Sequence, residues 1–196
     1  VTEAEVYPTH VRIRVKGAEE NSAWLKGLEF YLEDEQGNRF ETISSGIVAS
    51  GDQNTPANVS FRLESTYFSE SEHLTLYITG AEWLDKAHER VEIDLKNQVA
   101  PWLPEGVALV KAKEYPDGWT LQFTVEEGLQ KQPFSMTFYD ENGQSYEMGS
   151  QGFSVSDGED SGLHIPLPDY HEDRVWLEAT YSRFTQEAEP VAIPIK

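Results

Sequence analysis

Cysteine is absent from the 196 residues. That excludes a disulfide framework, a thiolate metal site and a cysteine nucleophile. Basic residues are scarce, with 15 Lys and Arg against 35 Asp and Glu and a formal net charge of -20. Phosphate backbones and anionic lipids are held by Lys and Arg. Neither a nucleic-acid partner nor direct contact with a membrane surface is therefore expected. No apolar run approaches the roughly 20 residues that span a bilayer. The five histidines, His10, His73, His88, His164 and His171, include no His-x-x-x-His pair. A nucleophile elbow, a phosphate-cradling glycine loop and a spaced Ser-His-Asp set are also missing. No catalytic residue and no cofactor are expected.

The chain instead contains one pattern twice. Leu28, Phe30, Leu32 and the turn Asp34-Glu35-Gln36-Gly37 recur as Phe134, Met136, Phe138 and Asp140-Glu141-Asn142-Gly143. Val59, Phe61 and Leu63 answer to Leu163, Ile165 and Leu167. Leu74, Leu76 and Ile78 answer to Val175, Leu177 and Ala179. Val91, Ile93, Leu95 and Lys96 answer to Val191, Ile193, Ile195 and Lys196. A repeat of this length predicts two small domains of one fold. Polar and apolar residues alternate over 10–15, 28–32, 38–43, 58–63, 73–79 and 90–96, and again through the second half, as in strands with one wet face. About seven strands in each half predict an all-β protein of two tandem immunoglobulin-like β-sandwich domains. Residues 22–26 and 83–87 could each form one helical turn at most.

The predicted domains are residues 1–98 and 103–196. The stretch between them carries Pro101 and Pro104 and exposes Trp102 and Leu103. Trp102 is expected to pack at the seam between the domains. Trp83 and Phe184 hold matching places in the two repeats, which favours core packing for both. Val1 follows no charged-then-apolar leader, so a piece processed or excised from a longer protein is expected.

Two groups of residues are binding candidates. Trp119, Trp176 and Tyr77 lie within aliphatic alternations and are read as facing outward, where an aromatic ring could stack on a sugar. Asp157, Glu159 and Asp160 gather three carboxylates that could take part in a calcium site. Calcium wants about six to eight oxygens, so this run needs a second loop, and a solvated loop is the plainer reading. Two carboxylates for a glycosidase could only be picked arbitrarily from 35.

The stretches Tyr7-Pro8-Thr9-His10-Val11-Arg12-Ile13, Phe30 to Asn38 and Phe61-Arg62-Leu63-Glu64-Ser65-Thr66-Tyr67-Phe68 resemble one known group. It is the C-terminal extracellular immunoglobulin-like region of Gram-positive, single-pass membrane proteins related to anti-sigma factors. The family carries no catalytic or ligand residues to transfer. The resemblance implies a non-catalytic extracellular sensor or interaction module on the extracellular face of a Gram-positive cell membrane. Its partner would be a protein or cell-envelope component, and a membrane helix would lie upstream of Val1. The alternative is an accessory carbohydrate-binding or adhesion module of a cell-envelope protein, which outward tryptophans would favour.

Overall fold

The structure is a computed structural model that describes residues 1–41, 49–52, 55–69, 71–126, 129, 132–154 and 161–195, with the side chains of 49–52 and 55–57 left aside. It is all-β. In chain order the strands are β1 (Glu3–Val6), β2 (Val11–Lys16), β3 (Ala23–Asp34), β4 (Arg39–Phe40), β5 (Ala49–Asp52), β6 (Thr55–Leu63), β7 (Leu74–Asp85) and β8 (Arg90–Asp94). They continue as β9 (Val107–Tyr115), β10 (Gly118–Val125), β11 (Phe134–Tyr139), β12 (Ser145–Glu147), β13 (Gly152–Ser154), β14 (Ser161–Pro168), β15 (Arg174–Ala179) and β16 (Arg183–Pro194). A 3-10 turn at Lys86–His88 joins β7 to β8. Residues 22–26, expected to turn at most once, mostly enter β3, because Ala23, Trp24 and Leu25 pair with Asp85, Leu84 and Trp83.

The chain forms two compact units. The first is Val1–Lys86 with Phe184–Lys196 and the second is Ala87–Arg183. These limits differ from a division at 97–104, and the sheets show why. The first unit has the sheet orders β1-β2-β6-β5 and β16-β7-β3-β4. The second has β13-β14-β10-β9 and β12-β11-β15-β8. Beside β15 stands β8, the last strand of the first repeat, with Arg174 opposite Asp94 and Glu178 opposite Arg90. Beside β7 stands β16, the last strand of the second repeat. The second unit is therefore a continuous insert between the seventh strand of the first unit and its last.

Within the first unit, Val11 and Ile13 of β2 and Val59, Phe61 and Leu63 of β6 meet Phe30 and Leu32 of β3 and Leu76 of β7 in one cluster. The two sheets thus face each other across an apolar core. The Phe30 and Phe61 rings cross at 77° with centroids 5.4 Å apart, a favourable edge-to-face pair. In the second unit Leu121 and Phe123 of β10 and Leu163, Ile165 and Leu167 of β14 are fully buried or nearly so, as are Phe134, Phe138, Val175 and Leu177 of the other sheet. Each such side chain contributes about 1.5 to 3 kcal/mol of burial.

The repeated hairpin has a local cause. Asp34 Oδ1 accepts the amides of Gln36 at 3.0 Å and Asn38 at 2.8 Å. Asp140 Oδ1 accepts those of Asn142 and Gln144, both at 2.9 Å. An aspartate that folds the chain over its own carboxylate is an Asx turn. Gly37 and Gly143 then take φ of 83° and 79°, the left-handed region that side chains disfavour.

Candidate functional site

Among the described residues of the first unit, the most exposed apolar pair is on the loop between β6 and β7. Phe68 is 81% exposed and Tyr67 55%, their rings crossing at 79° with centroids 5.0 Å apart. The loop under them is pinned at both ends. Ser65 donates its hydroxyl to the carbonyl of Tyr7 at the β1–β2 turn and accepts the amide of Tyr67 at 3.1 Å. Ser69 donates its amide and hydroxyl to the Thr66 carbonyl, at 3.1 and 2.7 Å. Buried Ser71 reaches Asp34 Oδ2 at 3.2 Å. Glu35 accepts the amides of Glu72 at 3.0 Å and His73 at 3.1 Å. The donated backbone hydrogen bonds, led by that of Glu72, hold the Glu35 carboxyl down to about 2. Two exposed rings on a loop fixed to two neighbouring turns form a presented knob whose contact needs little further ordering.

The surroundings are polar and acidic. Glu35, Glu64 and Glu72 are exposed around the knob. At the adjoining β1–β2 turn the Tyr7 and His10 rings stack with centroids 4.9 Å apart. Tyr7 donates to Glu5 at 2.9 Å, and Arg12 is bound to Glu5 and to the Tyr7 hydroxyl. Arg12 and Glu5 are thus committed to each other.

Of the three aromatics expected to face outward, two are partly accessible and one is buried. Tyr77 and Trp176 are half-buried on β7 and β15, out of phase with their buried neighbours. Trp119 is a correction, since it is only 7% exposed. It shares the phase of Leu121, Phe123 and Val125, so the pleat turns it inward with them. Its indole N–H is buried without a hydrogen-bond acceptor among the described residues. Tyr77 lies parallel to Tyr31 with centroids 5.1 Å apart, and the Arg39 guanidinium sits over Tyr31 at 4.3 Å. Both faces of Tyr31 are therefore engaged. In the second unit Arg90 covers Tyr139 at 3.6 Å, while Trp176 stands opposite Tyr139 and Glu92. Among these described strand residues no open platform of several aromatic faces results.

Asp157, Glu159 and Asp160 lie outside the described residues. Among the described residues no group of three or more His, Asp and Glu is placed to hold a metal ion. A cleft of about 320 Å³ in the second unit is lined by Glu141, Glu172, Asp173 and Arg174. Lys96 Nζ meets Asp173 at 2.7 Å and Arg174 meets Glu92 at 3.3 Å, so cations of the chain itself already answer two of the nearby carboxylates. Trp102, expected at a seam, is half-buried against His88 with ring centroids 4.4 Å apart. Trp83 and Phe184 are half-buried rather than core residues, and the Trp83 indole donates to Thr185 Oγ1 at 3.0 Å.

Sequence reasoning missed the knob. Tyr67 and Phe68 entered only within a longer stretch of resemblance. The available signal was two adjacent aromatics with polar residues on both sides, Ser65-Thr66 and Ser69, outside any strand alternation.

Among the described residues no helix is long and apolar enough to cross a membrane. Comparison with curated proteins and with solved structures finds no match. A family of unknown function, DUF5643, matches residues 1–107, which include the presented aromatic pair and more than half of the sequence, and the chain belongs to that family.

Proposed function

We propose that the chain is a non-catalytic interaction module whose working surface is the Tyr67–Phe68 knob. In this reading it is the extracellular sensor region of a membrane-anchored protein of anti-sigma type, at the outer face of a Gram-positive cell membrane. The helix that anchors it would precede Val1. The observation that carries the reading is the 81% exposure of Phe68 on a loop pinned to two turns. Leaving a phenylalanine in water forgoes about 2 kcal/mol of burial, and nothing in the loop's own hydrogen bonding requires an aromatic there. A partner pocket would recover that burial. The acidic residues around the knob and the net charge of -20 favour a protein partner whose apolar pocket has a Lys- and Arg-rich rim. Resemblance supplies the regulatory setting, while the residues supply the contact.

The test places a photo-crosslinking phenylalanine analogue at position 68 of the membrane-anchored parent protein in living cells. Crosslinking to one envelope protein is expected, together with altered output of a sigma-factor-dependent reporter in Phe68→Ser. No crosslink and an unchanged reporter would remove the knob from the function.

A further inference from the structure

We propose that β8 and β16 are interchangeable strands, and that the chain has a second arrangement in which each returns to the sheet of its own repeat. The two strands occupy the same kind of seat, an edge position beside the penultimate strand of a repeat. Their amides are placed alike. Leu95 donates to the carbonyl of Asp173 at 2.9 Å, and Ile195 donates to that of Leu74 at 2.9 Å. Each strand carries the same stripe at two-residue spacing, Val91, Ile93 and Leu95 in one and Val191, Ile193 and Ile195 in the other. Either stripe can therefore face either core.

The connections point the same way. Only Lys86 to Glu89 separate β7 from β8, and residues 180–182 separate β15 from β16. Gaps this short ordinarily close hairpins between antiparallel neighbours. Here they carry the chain from one unit to the other. The family match adds an independent observation, because residues 1–107 join β8 to β1–β7 as one sequence unit.

The two seats are not filled equally well. In the second unit Val91 and Ile93 are fully buried and Leu95 is 1% exposed. In the first unit Ile193 and Ile195 are only half-buried and Val191 is 48% exposed. Because the two stripes match in size, exchanging them would leave the burial at each seat nearly unchanged. With Leu95 in the place of Ile195, opposite Leu74, the hairpin would close on Glu82 and Ala87 and turn over residues 83–86. That turn would break the pairs Ala23–Asp85, Trp24–Leu84 and Leu25–Trp83 that now extend β3 and β7. Burial nearly unchanged at both seats, set against three pairs at a strand end, separates the two packings by little, the condition for a fold with two states.

The cysteine-free chain makes the test clean. Glu92 faces Trp176 in the observed register. In the returned register it would face Tyr77. Both are non-hydrogen-bonded antiparallel pairs, whose spacing suits a disulfide. In the full chain, Glu92→Cys with Trp176→Cys should oxidise in the folded protein. Glu92→Cys with Tyr77→Cys should oxidise within one chain after unfolding in urea and refolding. A second pair that never closes within one chain overturns the proposal. So does closure only between chains, which would make a second copy the strand donor.

Discussion

The two units share one plan and use it differently, and the clearest difference is at one loop. Three residues beyond Leu167 in the second unit comes Tyr170, 2% exposed, its ring edge-on to Phe138 with centroids 5.2 Å apart and its hydroxyl donated to the Arg174 carbonyl. Burial pushes that hydroxyl well above the ordinary phenol value. Three residues beyond Leu63, in the first unit, comes buried Thr66, followed by Tyr67 and Phe68 in the open. In one copy the aromatic closes the core, and in the other aromatic surface is carried outward. The same contrast recurs at the last strands, where β8 is sealed into its core and β16 is only half-seated. Duplication preserves a plan in the strands and their hairpins while leaving one loop and one edge free to diverge.

That comparison can be broken or sharpened by substitution. Ile93→Ala should cost about 3 kcal/mol in urea unfolding, because it empties a fully buried site. Its counterpart Ile193→Ala should cost about 1 kcal/mol, since that side chain is only partly removed from water. Equal costs would contradict the unequal seating of the two strands. Gly37→Ala and Gly143→Ala should each cost about 1 kcal/mol, and by matching amounts. Neither added Cβ meets an atom within 4 Å, so positive φ is the whole penalty in both units. A clear inequality would mean that the hairpins are not equivalent.

The loop under the knob should respond to acid. Glu35 ionises at about 2 in the fold against an ordinary 4.5. A lowered folded value stabilises fully above the unfolded value, and that contribution is lost as pH falls through the folded one. Hydrogen-exchange protection of the Glu72 and His73 amides should therefore decline between pH 4.5 and 2. Glu35→Gln should flatten the decline, and constant protection in the native protein would contradict the link. The smallest effect is expected at the knob itself. Phe68→Ser should change stability by no more than about 0.5 kcal/mol, and a larger loss would show that Phe68 belongs to the core.

Much of this architecture was legible in the residues because its causes are local. An aspartate three residues before a glycine builds the same turn wherever it occurs, so both hairpins could be placed from sequence. Alternation located the strands for the same reason. Trp119 was misplaced by one pleat, although its phase with Leu121, Phe123 and Val125 was already visible. The seating of β8 and β16 was not legible. The two strands carry matching stripes, and which one fills which edge depends on long-range pairing that alternation does not encode. The knob was hidden for another reason, since exposure of a loop aromatic depends on what its neighbours cover.

One measurement tests the shared plan and its crossed strands most directly. In an isotope-edited NOE spectrum of the folded chain, the Hα of Glu92 should lie close to the Hα of Trp176, its partner across β8 and β15. A dominant contact from Glu92 to Tyr77 instead would place β8 in the first unit and contradict the account.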